Sequence, residues 1–368
     1  MIETASDLAA LAEEWNGLAA RCPGYYLSQT FQWAETAWET VARPRGRKLN
    51  CMTLRSEGRL TAVWPLVIYR DRGLRILRPL GFEGSEYCAP LVEPGDEADN
   101  RVALLWREAA RSTDIAFLPH VRADSRLAVV LGNGNHWSFT EGTLAAPYVA
   151  RADYSDWANY HASIGRNRRR EIRRMHRRLA RRGEVVVARE GTDASATLID
   201  WMLDQKKHWL NCSNLTNDWI ARPDYRDFLM ALAAREDAVG GVALFAIRVD
   251  GVPVAAQLVS VDRSRVEAYF AAYDHEWSVY SPGHLITEHV LRWAFERGFD
   301  FDFRIGDEPY KYSWSRRNCD TATWLVGTSK RGIPTVVGLR ARKWASRIRQ
   351  KLALGRFLPS KYRRRLNS

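Results

Sequence analysis

The sequence predicts a mixed α/β (α+β) protein of two similar domains in tandem, each a twisted mixed sheet flanked by helices, with a basic C-terminal helical tail. Short apolar strands alternate with amphipathic helices along the 368 residues, as in mixed α/β folds. A hairpin, a strand and a helix follow in similar order in both halves, and no acidic residue occurs after position 329. We therefore expect domains over 1–147 and 148–329 and a tail over 330–368.

The elements of the first half are predicted from their apolar spacing. Ser6 can cap a helix whose apolar residues recur at helical intervals as far as Leu18. Strands over 49–55 and 60–69 enclose a Ser-Glu-Gly segment, which favours a hairpin. The remaining predicted elements of this half are a helix over 98–112 and a strand over 114–118.

The second half has the clearer pattern. A long helix is predicted over 156–182, because Gly183 supplies a C-terminal stop. The later predicted elements are a strand over 185–189, helices over 194–210 and 222–235, strands over 242–249, 254–261 and 265–273, a helix over 284–297 and a strand over 299–305. The final order of hairpin, strand, turn, helix and strand is the most informative part of the pattern.

Composition excludes several classes of protein. Apolar residues make up 46% of the chain, enough for a packed core, and the longest clean apolar stretch, 240–247, is too short to span a membrane. The start, 1–15, lacks the basic flank and apolar run of a secretory leader. Five separated cysteines without a CxxC pair argue against a disulfide framework and a zinc site. We expect a cytoplasmic protein without metal, with peripheral contact at the inner membrane face as an alternative.

The net charge of +12 is concentrated in two segments. The tail has 13 Lys or Arg residues and no acid, and 166–182 has ten arginines and one acid, Glu171. A helix over 166–182 would combine a narrow apolar stripe with a wide basic surface. That surface is either a solvated helix face or a site that attracts a polyanion, such as CoA phosphates, an acidic carrier protein, tRNA or an acidic glycan. Nothing indicates sequence-specific DNA binding.

The tail has the pattern of a basic amphipathic helix. Its apolar residues fall near helical spacing at Val337, Ala341, Trp344, Ile348 and Leu352, with arginines and lysines around them. Helices of this kind can lie on anionic membranes. Packing on the domain and simple disorder are the alternatives.

The strand over 265–273 and the turn after it predict a cleft with an anion site. Alternation along the strand places Glu267 and Tyr269 on the same side, toward a cleft. The strand leads through a Ser-Pro-Gly turn at 281–283 into a helix, whose first amides lack partners and whose dipole favours a phosphate group. The same turn also suits an ordinary helix start, with Ser281 as the cap and Pro282 as the first residue.

A regular strand pattern over 299–306 places its phenylalanines on one face and Asp300, Asp302 and Arg304 on the other. A carboxylate at a strand end beside an arginine suits proton abstraction or substrate orientation, and a solvated edge strand is the alternative. The loop over 307–314 then brings aromatic and charged groups together. Further candidates for the donor or acceptor side are His284, Lys206, His208 and Trp209.

Six short motifs follow one another in a characteristic order in the second half. They are Ala271-Ala272-Tyr273-Asp274, Tyr280-Ser281-Pro282-Gly283-His284-Leu285, Phe301-Asp302-Phe303, Gly306-Asp307, Tyr310-Lys311 and Trp314. Together they resemble the acetyltransferase family of CelD-type cellulose and exopolysaccharide biosynthesis proteins, which belongs to the GNAT superfamily and is similar to the tandem, FemAB-like proteins. The resemblance covers about 150–326, whereas 1–145 match only in general character.

The resemblance implies an acyl-CoA N-acyltransferase fold, in which two central parallel strands part and hold the pantetheine arm of acyl-CoA, with acetyl-CoA as the first candidate. The residues that it implies for donor binding are Tyr273, Ser281, Gly283, His284 and Leu285. Those implied for substrate binding are Tyr269, Arg304, Asp307, Tyr310 and Trp314. Lys311 matches a lysine that positions the donor and stabilises the oxyanion in related proteins.

One feature of the superfamily is missing from this chain. The standard phosphate loop, R/Q-x-x-G-x-G/A, does not occur, since only Gly283 stands in a glycine position. Aminoacyl-tRNA, which the related peptidoglycan aminoacyltransferases use, and an acyl carrier protein are therefore alternative donors.

The chemistry of acyl transfer identifies candidate catalytic groups. An amine acceptor is mostly protonated at neutral pH, so a base must remove a proton before attack on a thioester or ester, and an electrophile must stabilise the oxyanion. Asp302 or Glu267 could be the base. Lys311, or a backbone amide of the strand over 265–273, could donate to the oxyanion.

We expect an acyltransferase that moves an acyl group, in the first instance acetyl, from acyl-CoA directly to an amine or hydroxyl of a saccharide or of an envelope or exopolysaccharide precursor. The first domain would shape the acceptor side. One alternative is a transferase that depends on aminoacyl-tRNA or an acyl carrier protein. The other is a non-catalytic adaptor that docks on a polyanion or membrane through the basic helix and tail.

Overall fold

The computed structural model describes residues 1–81, 87–134, 137–212, 220, 222–235 and 240–343. The helices of the first half are α1 (Ala5–Ala10), α2 (Ala12–Arg21), α3 (Phe31–Ala37), α4 (Ala98–Arg111) and α5 (Arg126–Asn133). Its strands are β1 (Lys48–Leu49), β2 (Met52–Ser56), β3 (Arg59–Trp64), β4 (Leu66–Asp71), β5 (Leu74–Pro79), β6 (Leu91–Val92), β7 (Ile115–Arg122) and β8 (Trp137–Val149).

The second half alternates between the two kinds of element in the same way. Its helices are α6 (Trp157–Ser163), α7 (Arg166–Ala180), α8 (Thr192–Cys212), α9 (Pro223–Ala233), α10 (Pro282–Glu296), α11 (Pro309–Tyr312) and α12, which covers 333–343 of the described residues. Its strands are β9 (Val185–Arg189), β10 (Gly241–Val249), β11 (Val252–Val261), β12 (Arg265–Tyr273), β13 (Asp300–Asp302) and β14 (Arg317–Gly327).

The strands form one large mixed sheet and one small sheet. The large sheet has eleven strands in the order β1-β4-β5-β7-β14-β8-β13-β12-β11-β10-β9, and the small sheet has the order β2-β3-β6. Two neighbouring pairs of the large sheet are parallel, β5 with β7 and β12 with β13. The mixed α/β fold predicted from the sequence is thereby confirmed.

The centre of the large sheet is built from both halves of the chain. Strand β14, near the end of the described chain, lies between β7 and β8 and is antiparallel to both, with Thr321 opposite Arg122 on one side and Leu144 on the other. Strand β8 also pairs with β13. The predicted division at 147/148 falls within β8 and stays a prediction.

Helices cover both faces of the large sheet. Successive residues of a strand point to opposite faces. In β11, Leu258 belongs to the same buried apolar cluster as Met202 of α8, whereas Val259 belongs to a second cluster with Leu179 of α7 and Val290 of α10. Helices α8 and α10 therefore lie on opposite faces of the same strands. Any opening between strands at this point connects the two faces.

Two elements differ from their predicted bounds. The strand predicted over 60–69 divides into β3 and β4, which belong to different sheets, because Pro65 lies between them and lacks an amide for pairing. The single helix predicted over 156–182 is wrong: α6 ends before Ile164, and Ile164 and Gly165 have extended ψ values of 131° and 140°. Gly165 is a poor helix former and Ile164 is buried, so the chain turns here and α7 takes its own direction.

The tail begins as an ordered element. Val336 of α12 is buried against Ile76, Ile115 and Leu325, whereas Val337 is 41% exposed. The other predicted stripe residues, Trp344, Ile348 and Leu352, lie outside the described residues, so the amphipathic tail stays a prediction. None of the helices within the described ranges is both long enough and apolar enough to cross a membrane.

Candidate active site

A cleft opens where the two parallel strands β12 and β13 part. They pair for three residues, the last pair being Glu267 with Asp302, and the strand predicted over 299–305 ends there. Arg304 has a φ of 59° and Gly306 a φ of 126°, so the chain bends away from the sheet. A cavity of about 670 Å³ lies between residues 268–273 of β12 and residues 303–305.

A β-bulge in β12 shapes the wall of this cleft. Leu258 of β11 lies opposite Phe270 and Val259 lies opposite Ala268, which leaves Tyr269 as the extra residue. Bulges redirect side chains and interrupt regular pairing. Beyond Glu267 no described residue of β13 pairs with β12, so those amides of β12 that point away from β11 face the cleft.

The start of α10 forms the wall on one face of the sheet. Ser281, Pro282, Gly283 and His284 all line the cleft, and Ser281 has a left-handed φ of 56° with no side-chain cap hydrogen bond. Gly283 lies against the ring of Tyr273, where a Cβ would be 3.4 Å from the ring. The backbone of this turn is therefore close to whatever occupies the cleft.

His284 links the cleft to helix α7. Its Nδ1 lies 2.6 Å from Arg168 Nη2, and the guanidinium of Arg168 lies over the ring of Trp314 at 5.3 Å. Burial, and then the charge of Arg168, lower the pKa of His284 to about 4. The imidazole is therefore neutral near pH 7, and its Nδ1 accepts the hydrogen bond from Arg168.

Lys311 holds the loop beyond β13. Its buried ammonium donates to the backbone oxygen of Ile305 at 2.6 Å and to that of Arg304 at 3.3 Å, and lies 3.0 Å from the carboxylate of Glu308. Lys311, Arg304, Ile305 and Glu308 all line the cleft. The structure thus places a fixed positive charge at the cleft wall.

A Gly306→Ala substitution should displace this charge. A Cβ at Gly306 would lie 2.8 Å from Lys311 Nζ and closer still to the Glu308 carboxylate, and the φ of 126° strains any side chain. We expect acyl-transfer kcat/KM to fall about tenfold or more, because small displacements of a positioned group are costly. Gly132→Ala, with nothing within 4 Å of the added Cβ, is the control. Equal kcat/KM and Tm for the two variants would contradict the prediction.

The opposite face of the cleft is formed from α8 and β12. Lys206 and Trp209 of α8 line it, and the ammonium of Lys206 lies 4.4 Å from the centre of the Trp209 ring. Burial lowers the pKa of Lys206, with Glu308 opposing and Lys311 reinforcing this change. The guanidinium of Arg304 lies 4.2 Å from the centre of the Tyr269 ring. His208, by contrast, is exposed beside Cys212.

Asp302 lies at the vertex of the cleft, the point where β12 and β13 part, and is not among the residues that line it. It is 1% exposed and accepts hydrogen bonds from the Tyr87 hydroxyl at 3.0 Å and the Arg304 amide at 2.6 Å. Arg122 Nη1 donates to it from 3.4 Å. Its carboxylate is therefore fully engaged, and it ties the end of β13 to two residues of the first half.

Glu267 lies beside Asp302 but is less fully engaged. Oε2 accepts a hydrogen bond from Ser260 at 2.8 Å, whereas Oε1 has no hydrogen-bond partner among the described residues and lies 3.9 Å from Arg304 Nε. Burial raises the pKa of Glu267 to about 7, with Asp302 adding to the rise and Arg304 opposing it. A carboxyl of this pKa exchanges a proton near neutral pH.

The structure divides Lys311 and the predicted binding residues into two groups. The cleft is lined by Tyr269, Tyr273, Ser281, Gly283, His284, Arg304, Tyr310 and Lys311. Leu285 and Trp314 are buried, Asp307 is exposed, and none of the three is a lining residue. The roles assigned to all these residues stay predictions.

Sequence reasoning missed several polar residues of the wall, among them the buried Gln257. Gln257 of β11 lines the cleft, is 2% exposed, and its Oε1 has no hydrogen-bond partner among the described residues. A buried amide oxygen without a partner is costly and marks a place where a ligand could bind. The available signal was a single amide in the strand predicted over 254–261, where Ser260 is the one other polar residue.

Comparison with known families decides the fold type. A family model described as an acetyltransferase (GNAT) domain matches residues 166–312, the part of the chain that contains α7, α10 and the cleft. The fold is of the GNAT type. This match does not distinguish CelD-type proteins from others with a GNAT-type fold, and no curated protein matches the chain.

Similarity to solved structures extends the fold match to most of the chain. FemX has a TM-score of 0.58 and 14% identity, over 86% of this chain and 94% of FemX. The C-terminal domain of a putative lysylphosphatidylglycerol synthetase from Agrobacterium fabrum has a TM-score of 0.55 and 12% identity, over 90% and 96% of the two chains. L-PGS from Bacillus licheniformis has a TM-score of 0.53 and 11% identity, also over 90% and 96%. At these identities the likeness is one of fold alone.

Proposed function

We propose that this chain transfers an acyl group, acetyl in the simplest case, from acyl-CoA directly to an amine or hydroxyl of a saccharide or envelope precursor. The observation that carries the proposal is the cleft through the sheet. The turn at the start of α10 borders it on one face and Lys206 and Trp209 border it on the other. Two substrates can therefore approach one point from opposite faces.

The donor would enter on the α10 face. The pantetheine arm contains two amide groups, and the parted edge of β12 presents backbone amides to the cleft at the point where pairing with β13 ends. Gln257 adds a buried side-chain amide oxygen, Oε1, that has no hydrogen-bond partner among the described residues. Buried polar groups of this kind favour a ligand that supplies the missing hydrogen bonds.

The acceptor would enter on the α8 face. Trp209 and Tyr269 supply aromatic surfaces there, and Lys206 and Glu308 supply charged hydrogen-bonding groups. A mostly aromatic wall with a few placed polar groups suits a small polar ring such as a saccharide. The acceptor class also rests on the resemblance of the motifs over 271–314.

The proposed reaction is a single displacement. The acceptor nitrogen bonds to the carbonyl carbon of the thioester, the C–S bond breaks, and CoA leaves as the thiolate, which takes a proton from water. Lys311, already fixed at the wall, would stabilise the negative charge that develops on the carbonyl oxygen. Glu267 would receive the acceptor proton through one water molecule, since the side chain of Arg304 separates its carboxylate from the cleft.

Binding of the donor provides the test. Calorimetry should detect binding of acetyl-CoA or a longer acyl-CoA, with thiol release in the presence of amino sugars. A Gly283→Trp variant, which crowds Tyr273, should abolish binding, whereas Gly338→Trp, at an exposed site in α12 with nothing within 4 Å of an added Cβ, should not. If neither acyl-CoAs nor an acyl carrier protein binds, the assignment of a thioester donor is wrong.

Aminoacyl transfer from tRNA is the second candidate. It is favoured by the eight arginines of α7, which could attract a polyanion, and by the fold likeness to a protein named a lysylphosphatidylglycerol synthetase. Binding to tRNA would be strong and would weaken steeply with salt. Measurement of tRNA and acetyl-CoA binding side by side, at low and high salt, distinguishes the two donors.

A further inference from the structure

The arginine-rich helix α7 lies across the start of α10. Its Arg168 reaches His284, with Nη2 and Nδ1 2.6 Å apart. Further along the helix, the guanidinium of Arg178 lies 5.5 Å from the centre of the Tyr280 ring, and that of Arg182, just past the helix end, lies 5.8 Å from it. Arginines therefore stand on both sides of the turn over 280–284.

Most of this positive charge has no carboxylate partner among the described residues. Eight of the fifteen residues of α7 are arginines. Among the described residues, Arg168 pairs with the Glu171 carboxylate at 2.8 Å, whereas Arg178 and Arg182 have no carboxylate partner. Like charges at this spacing repel one another, and a bound polyanion would relieve the repulsion.

The turn itself offers few donors for a phosphate. The amide of Ser281 donates to the Ser278 oxygen and that of His284 donates to the Ser281 oxygen, both at 3.0 Å. Pro282 has no amide hydrogen. This leaves the amide of Gly283, the one residue that stands in a glycine position of the usual phosphate loop. A pyrophosphate beside this turn would need further donors from outside it.

We propose that α7 supplies those donors and binds the phosphate groups of CoA, with Arg168 on the His284 side of the turn and Arg178 and Arg182 on the Tyr280 side. This inference rests on the proposed function, because it assumes that the thioester donor occupies the cleft. The guanidinium groups replace the backbone amides that a glycine-rich loop would contribute. Arg168 is already oriented, since His284 accepts its hydrogen bond and the ring of Trp314 lies beneath it.

Ligands with different phosphate groups test the inference. Calorimetry compares CoA with dephospho-CoA, which lacks only the 3′-phosphate, and with pantetheine, which lacks all the phosphates together with the adenosine. The wild type should bind CoA at least about 100-fold more tightly than pantetheine, since each charged hydrogen bond contributes about tenfold or more. Arg168→Gln and the double variant Arg178→Gln/Arg182→Gln should each lose about tenfold or more for CoA and nothing for pantetheine. The affinities for CoA and dephospho-CoA, which both carry the pyrophosphate, should fall with added salt, and the affinity for pantetheine should not.

Arg111→Gln, on the exposed surface of α4, is the matched control and should leave all three affinities unchanged. The inference is overturned if CoA and pantetheine bind equally well, or if both α7 variants retain the preference for CoA; the proposed function stands in those two cases. If CoA, dephospho-CoA and pantetheine all fail to bind, the proposed function fails with it. Binding of a carrier protein in place of CoA likewise overturns the assignment to CoA.

Discussion

Replacement of Lys311 by methionine is expected to lower the kcat/KM of acyl transfer by about 10²- to 10³-fold, the usual cost of removing one oxyanion donor. Methionine keeps most of the apolar stem but removes the ammonium that lies at the cleft wall. The loss should appear mainly in kcat, because the developing charge exists only in the transition state. The loop should also loosen, since the backbone oxygens of Arg304 and Ile305 lose their donor.

Thiol release from acetyl-CoA, measured with the best amine acceptor, gives kcat and KM for the variant, and thermal unfolding gives its Tm. Lys207→Met is the matched control, because the side chain of Lys207 is 46% exposed and pairs with Asp204 on the surface of α8. An unchanged kcat in Lys311→Met would remove Lys311 from the proposed chemistry. A fall in Tm together with a rise in KM alone would assign it to loop structure.

A Glu267→Gln variant should lose the rise of activity with pH. Burial raises the pKa of Glu267 to about 7, so the group is protonated and inactive as a base below that pH and ionised above it. In the wild type kcat/KM should therefore increase through about pH 7. In the variant this rising limb of the pH profile should disappear. The rate should fall by about 10²- to 10⁴-fold, the range for a positioned base.

The same substitution should change how stability depends on pH. Because the folded protein holds the Glu267 proton more tightly than the unfolded chain does, the stability that this group contributes is lost as pH rises from the ordinary range of a glutamate to about 7. Glu267→Gln removes that decline. Urea unfolding of both proteins at about pH 5 and pH 8 should show a smaller difference between the two pH values for the variant.

An Asp302→Asn variant distinguishes the roles of the two carboxylates at the vertex, Asp302 and Glu267. Asp302 already accepts hydrogen bonds from Tyr87, Arg122 and Arg304, so this variant should lower stability and leave the pH limb in place. If Asp302→Asn abolishes the limb and Glu267→Gln retains it, Asp302 is the base and the present assignment is wrong.

Local elements of the second half followed from the sequence. The predicted strand over 265–273 coincides with β12, and the helix predicted over 284–297 begins within two residues of α10. Alternation, a proline-glycine turn and a run of helical spacing are properties of neighbouring residues. They can be read without knowledge of the tertiary structure.

The centre of the sheet could not be predicted in this way. Strands β8 and β14 pair along their whole lengths, yet Leu144 and its partner Thr321 are 177 positions apart. Neither strand was predicted, because such pairing depends on the packing of the completed chain. Only the resemblance, which extends to about residue 326, included β14 at all.

The layout of the candidate site was predicted only in part, because it also depends on contacts between distant segments of the chain. Regular alternation put Glu267 and Tyr269 on the same wall, but the bulge at Tyr269 leaves Glu267 at the vertex. A bulge is set by the register against β11, which the sequence of β12 alone does not contain. Arg168 beside His284 depends likewise on the break at Gly165, which gives α7 its direction.

The position of β14 imposes an order on biosynthesis. The ribosome completes β7 and β8 early, but the strand that joins them is almost the last part of the described chain to emerge. Until then the nascent protein carries two open strand edges, which are prone to pair with other chains. Closure of the sheet must therefore wait until β14 has been synthesised, and protection by a chaperone during translation would have its greatest effect on this intermediate.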